Sequence, residues 1–221
     1  LFGGKYGEAI DLYRAISQED AETMKQRVNQ YKNEGYLKFQ LKVGGHYQDD
    51  IERIIQIDSI LNDSNTLIAD ANTGWKTHEA LKVINKTSHL NIYYEQPCAT
   101  YNDCLLIRKK NNNPFILDES IFSLESFLTA HQDNAMDIVN LKISKLGGLT
   151  RTKQLRDLCV ELKIPMTIED SWGGDVATAA ISHLAHSTPT DYRFSSTDCN
   201  SYNSISYSEG SPKRIDGKFK A

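Results

Sequence analysis

Three carboxylates stand at intervals close to one another along the chain: Asp70 in Ile-Ala-Asp-Ala-Asn, Glu95 in Tyr-Tyr-Glu-Gln-Pro and Asp118 in Ile-Leu-Asp-Glu-Ser. They are 25 and 23 residues apart, and each closes a short apolar run that reads as a strand. If the strands lie side by side, the three acids meet at one end of the sheet, where their mutual repulsion calls for a cation. Oxygen-only ligands favour a hard ion, Mg²⁺ with water completing its shell, with Mn²⁺ as the alternative. Lys42 lies one strand before this trio and Lys142 one strand after it, which puts an amine on either side of the expected metal. That is an arrangement for moving a proton. Any one acid at a strand end is as well explained as a helix cap, but capping does not account for three in register between two lysines. Lys145, Glu119 and Asp137 read as ion-pair partners, with Glu119 behind the metal ligands. The six histidines show no metal-binding spacing, and no mechanism is centred on them.

The elements that must position these residues recur as a strand followed by a helix about every twenty-five residues. Eight strands are expected, at residues 10–15, 37–43, 67–70, 92–95, 115–119, 138–143, 166–169 and 193–197. In the second, Leu37, Phe39, Leu41 and Val43 alternate with Lys38, Gln40 and Lys42. One face is therefore apolar and the other polar, and with helices covering the outside the polar set must point inward. The sixth repeats the pattern, with Asn140 and Lys142 opposite Val139, Leu141 and Ile143. Ile51, Ile54, Ile57 and Leu61 form an apolar helical stripe, and so do Leu155, Leu158, Cys159 and Leu162, with Thr150 as the expected N-cap region. The fold class is α/β, a TIM-like (β/α)₇β barrel; a doubly wound open sheet fits less well because no GxGxxG follows the first strand. Residues 1–8 read as a linker remnant, 9–203 as the barrel and 204–221, rich in Ser, Asn and Lys, as a tail.

The 221-residue length suits one such domain, and 39% apolar with 24% charged residues is ordinary for a soluble globular chain. A net charge of −4 with no basic stripe argues against nucleic acid, and no apolar run is long enough for a membrane. Four cysteines, Cys98, Cys104, Cys159 and Cys199, have neither CxxC nor zinc spacing, so a reducing, cytoplasmic setting is expected.

With these residues in hand, the chain from about residue 13 to about residue 203 resembles the mandelate racemase and muconate lactonizing enzyme branch of the enolase superfamily. The matching stretches are Phe39-Gln40-Leu41-Lys42-Val43-Gly44, Asp70-Ala71-Asn72, Glu95-Gln96-Pro97, Leu117-Asp118-Glu119-Ser120 and the run from Leu141 to Gly148. The resemblance implies Asp70, Glu95 and Asp118 as Mg²⁺ ligands and Lys42 and Lys142 as the acid/base pair. Ile168-Glu169-Asp170-Ser171-Trp172-Gly173-Gly174-Asp175 is similar to the hydroxyproline betaine epimerase and cis-3-hydroxyproline dehydratase group. It implies a substrate-binding set of Trp172, through cation–π attraction to an ammonium, Asp170 as the anionic partner, Gln40, Asn72 and, more weakly, Asp198. The bland alternative for Trp172 is packing under the barrel rim. Two departures stand out: Gln40 replaces the first lysine of a Lys-x-Lys pair, and the family's N-terminal capping domain does not precede Leu1.

The expected activity is Mg²⁺-dependent removal of the proton α to a carboxylate, leading to racemisation or epimerisation of a proline-type amino acid or betaine. Dehydration of a hydroxyproline or related hydroxy acid is the alternative, and a non-catalytic barrel fragment is the alternative of another class. The expected partner is a small carboxylate substrate, with no nucleic acid or membrane, and exposed core on the uncapped barrel face favours a homo-oligomer.

Overall fold

Alternation of polar and apolar residues along the strands that carry Lys42 and Lys142, together with the apolar stripes of the helices, leads to a cylinder of strands wrapped in helices. A computed structural model describes residues 2–220. The strands of the cylinder are β2 (Tyr13–Ile16), β3 (Lys38–Lys42), β4 (Thr66–Asp70), β5 (Ile92–Glu95), β6 (Phe115–Leu117), β7 (Ile138–Lys142), β8 (Met166–Glu169) and β9 (Arg193–Ser196). They form one sheet in sequence order, and every pair is parallel. A single parallel bridge between Leu12 and Ser196 brings its two edges together. The helices are α1 (Ala21–Asn33), α2 (Tyr47–Asp58), α3 (Thr77–Thr87), α4 (Tyr101–Arg108), α5 (Leu124–Gln132), α6 (Leu149–Glu161) and α7 (Asp175–His186).

The parallel register stacks the inward residues in layers. Ile68, Ile116 and Ile138, with Tyr93 and Phe194 packed on them, form a small apolar cluster separate from the main core between sheet and helices. Two residues further along the strands the inward positions are Asp70, Glu95, Asp118 and Asn140, with Lys42 and Lys142 at the ends of β3 and β7. The barrel thus passes from hydrocarbon to charge towards the carboxyl ends of its strands, the face on which such barrels carry their sites.

Three elements differ from the sequence expectation. The first strand is broken at Leu12: β1 (Ala9–Asp11) leaves the barrel and pairs antiparallel with β11 (Lys218–Lys220), which also pairs with β10 (Arg214–Ile215). Residues 204–221, read from sequence as a tail, therefore carry a hairpin. Its turn is Asp216-Gly217, both at positive φ, and Phe219 is buried beside Ile10. Finally, α6 begins at Leu149 with Gly148 as its N-cap, two residues ahead of Thr150.

Candidate active site

Lys42 and Asp70 are register partners on β3 and β4, and the Lys42 amine lies 2.5 Å from Asp70 Oδ2. On the far side, Lys142 at the end of β7 lies 2.5 Å from Asp118 Oδ2, while Lys145 donates to Asp118 Oδ1 at 2.6 Å. Asp118 stands one residue past β6, in the turn that follows it. Glu95 lies between them and is fully buried; Gln40 donates to both its oxygens at 3.0 and 3.2 Å, and Asn140 to one at 2.6 Å. Gln40, which departs from the Lys-x-Lys pattern, is thus a neutral partner of the middle carboxylate.

This concentration of buried charge moves the proton equilibria of Glu95, Lys42, Lys142 and Asp118. Burial, reinforced by Asp70, Glu169 and Asp118, drives the Glu95 carboxyl well above the ordinary range. Burial by itself would lower both lysines, but the surrounding carboxylates outweigh it: Asp70 and Glu95 raise Lys42, and Glu169 and Asp118 raise Lys142. Asp118 goes the other way, because Lys145 and Lys142 overcome its burial.

The three acids fit a hard divalent cation by donor chemistry: all are oxygen ligands, at most 1% exposed, and Glu95 carries like-charge repulsion that a cation relieves. Their oxygens are turned to the lysines and to Gln40 and Asn140, and among the described residues no three His, Cys, Asp or Glu side chains converge as a ready-made cage.

Above the acids is a cavity of 230 Å³ lined by Gln40, Lys42, Lys142, Asp170 and Trp172 from the expected set, and by Tyr13 and Glu169, which the sequence reading did not single out. Glu169 is the register partner of Lys142, 3.8 Å from its amine. The Tyr13 hydroxyl donates to its Oε2, and its Oε1 has no hydrogen-bond partner among the described residues. Burial lifts its carboxyl to about 7, against the pull of Lys142. The signal for Glu169 was present: Thr167 and Glu169 alternate with Met166 and Ile168 as Asn140 and Lys142 do with Val139 and Leu141.

Trp172 is 64% exposed at the rim, with Tyr202 5.7 Å away ring to ring, so it does not pack under the barrel. Asp170 reaches the cavity, but its carboxylate accepts from the Ser144 amide and hydroxyl and from the Ser171 amide. Asn72 donates to Glu119 at 3.1 Å, tying the loop after β4 to the one after β6. Asp198 is not with the others: it faces Arg14, Arg214 and the Tyr36 hydroxyl and lines a different cavity with Asn200, Ser201 and Arg214. It lies two residues beyond β9, outside the alternation that aims strand residues inward. The ion-pair readings hold for Lys145 with Asp118 and for Asp137 with Arg108 at 2.6 Å.

A parallel eight-stranded barrel with acids at the carboxyl ends of three successive strands and lysines on the strands either side defines a class. The chain belongs to the enolase C-terminal domain-like family, whose model matches residues 23–221. It is 52% identical to the cis-3-hydroxy-L-proline dehydratase of Roseibium aggregatum over 99% of its own length and 60% of that protein's. It is 29% identical to the N-succinyl-L-Arg/Lys racemase of Bacillus cereus over 85% of its length and 52% of that protein's. A mandelate racemase/muconate lactonizing enzyme from Roseovarius nubinhibens superposes with a TM-score of 0.93 at 35% identity, covering 100% of this chain and 61% of that one. An enolase-superfamily member from the same organism, complexed with magnesium, superposes at 0.94 with 30% identity, covering 99% and 60%. The chain spans about 60% of the length of the dehydratase and of these two structures. Among the described residues no helix is long and apolar enough to cross a membrane.

Proposed function

We propose that this barrel carries out proton transfer at the carbon α to a carboxylate, and that the reaction is loss of water from a cis-3-hydroxyproline-type substrate. The observation that carries the reading is the placement of Lys42 and Lys142. They come from β3 and β7, four places apart in an eight-stranded barrel and so on opposite sides, and both line one cavity. When hydroxyl and carboxylate share one face of the ring, the α-proton lies on the other. Base and acid must then approach from opposite faces, and two opposed lysines meet that requirement. Identity of 52% to a dehydratase against 29% to a racemase favours water loss over epimerisation.

Asp70, Glu95 and Asp118 would hold the divalent cation, Mg²⁺ before Mn²⁺ for a set of hard oxygens. Bound there, it supplies positive charge for the substrate carboxylate as the α-proton leaves. The carboxylates that keep Lys42 and Lys142 charged are the proposed ligands or their neighbours, so a cation held by those ligands would favour the neutral amine that a base requires. One lysine takes the α-proton, and the electron pair left behind forms the double bond to the β-carbon. The carbon–oxygen bond there breaks, and the opposite ammonium gives its proton to the departing hydroxide to make water. Glu169, whose Oε1 is buried without a hydrogen-bond partner among the described residues and 3.8 Å from the Lys142 amine, meets the ring ammonium, a role first expected of Asp170, while Trp172 covers the mouth.

Epimerisation, the first expectation from sequence, uses the same amines, with the second lysine returning a proton to carbon instead of oxygen. Proton NMR in D₂O with Mg²⁺ and cis-3-hydroxy-L-proline tests both. Loss of the α-proton signal with loss of the signal of the proton on the hydroxyl-bearing carbon supports dehydration, and deuterated epimer alone replaces it with epimerisation. Silence from this chain and from one extended by a relative's remaining segment would remove the catalytic reading and leave the barrel fragment.

A further inference from the structure

The loops carrying the chemistry are fastened to one another through a side chain that touches neither cavity nor metal ligand. Asp50, in the first turn of α2, is fully buried and accepts from donors on three successive loops. The Gly44 amide, two residues after Lys42, donates to its Oδ2 at 2.9 Å. The Trp75 indole, in the loop after Asp70, donates to the same oxygen at 2.8 Å. Gln18, from the loop after β2, reaches Oδ1 at 3.4 Å, and Arg53 of its own helix neutralises it at 2.8 Å. A helix-capping acid would serve its own helix; this one joins the segments after β2, β3 and β4.

The backbones so joined lie too close for anything but glycine. A Cβ on Gly44, at φ 95°, would collide with the Ala71 carbonyl, and one on Gly74 with the Gly44 carbonyl. Between these contacts, Asn72 and Thr73 are held at φ 42° and 69°. A β-branched residue there is strained and persists only where its surroundings enforce it. The enforcement comes from Thr73 donating to the Gln96 carbonyl at 2.9 Å, Trp75 to the Pro97 carbonyl at 3.1 Å, and Trp75 again to Asp50.

We propose that Asp50 is a positioning residue, whose shared oxygen clamps the Gly44 amide to the Trp75 indole and thereby fixes the Lys42 amine against the Asp70 carboxylate. The inference rests on the reading of Lys42 and Asp70 as parts of the proton-transfer site. Loss of the clamp lets the two loops move apart, so the effect falls on the rate of proton transfer more than on substrate affinity.

The test uses Trp75→Phe, which keeps an aromatic side chain but removes the indole N–H together with its five-membered ring, and Asp50→Asn, which keeps the shape and removes the charge, in the full chain, read by amide hydrogen exchange and by kinetics. Exchange at residues 43–46 and 71–75 rises together by about tenfold, the scale of one hydrogen bond to a charged acceptor, while residues 47–58 keep their protection. Where α-proton exchange is measurable, kcat falls by a similar factor with KM little changed. Faster exchange confined to 47–58, or no change in either loop, would overturn the proposal and leave Asp50 a local cap. Absence of α-proton exchange in the parent chain would count against the functional reading alone, since the loop protection still decides the clamp. Should Asp50→Asn fail to fold, Trp75→Phe decides by itself.

Discussion

The Tyr13 hydroxyl donates to Glu169 across the place where the barrel closes, joining its first strand to its seventh. The bond matters because, among the described residues, the seam is closed by a single bridge from Leu12, just before β2, to Ser196 of β9. It also leaves Glu169 with one oxygen committed and the other without a hydrogen-bond partner among the described residues, 3.8 Å from the Lys142 amine.

Tyr13→Phe is therefore expected to act in two ways. It strips a buried carboxylate of its donor, which costs about 1–3 kcal/mol and should appear as a lower denaturant midpoint. It also frees the Glu169 side chain to turn, so KM for an ammonium-bearing substrate should rise. A drop in stability with KM unchanged would mean that Glu169 does not meet the substrate.

The two lysines are expected to fail differently. Replacing the one that takes the α-proton by alanine should abolish α-proton exchange in D₂O. Replacing the other should leave exchange measurable while slowing water loss by about 10²–10⁴-fold, the usual worth of a positioned acid. Identical loss of both signals in both variants would show that the amines do not divide the two proton transfers.

Most of this site was legible in the sequence, and what escaped did so for identifiable reasons. Asp70, Glu95, Asp118, Lys42 and Lys142 could be read because strand period and inward alternation locate them without knowledge of any side-chain contact. Glu169 obeyed the same alternation but stood beside the more conspicuous Asp170, whose carboxylate proves to be taken up by Ser144 and Ser171. Asp198 misled because it lies past the end of a strand, where alternation no longer fixes direction. Asp50 carries no sequence mark at all: an acid in the first turn of a helix is the commonest of caps, and only the fold brings Trp75 to it. The Asp216-Gly217 turn was a hairpin signal hidden in a segment whose composition reads as tail.

Removing divalent ions is expected to silence the chemistry without unfolding the chain. Lys42 and Lys142 already neutralise Asp70 and Asp118, so the acids are not left as bare buried charges, which would be the costly outcome. The EDTA-treated chain should still unfold in a cooperative transition, and Mg²⁺ at 100 times its Kd should raise its stability by about 2.7 kcal/mol. A chain that melts on chelation would show that the ammonium groups do not stand in for the metal.

Asp175 fastens the segment after β9 to the start of α7, and that fastening is expected to weaken in acid. Although it falls in the Gly-Gly-Asp run that resembles a substrate motif, its carboxylate accepts from Asn200 and Ser206 and from the amides of Tyr207 and Ser208. The Asn200 amide and the Tyr207 N–H lead in holding it below its ordinary value. A depressed carboxyl contributes stability above its unfolded value and loses it as pH falls through the folded one. Acidification through and below the ordinary aspartate range of about 4 should therefore release residues 204–213 while the barrel persists. Limited proteolysis across that range should cut first in this segment. Asp175→Ala should bring the same cleavage to neutral pH, and protection that does not depend on Asp175 would assign the anchoring to the β10–β11 hairpin instead.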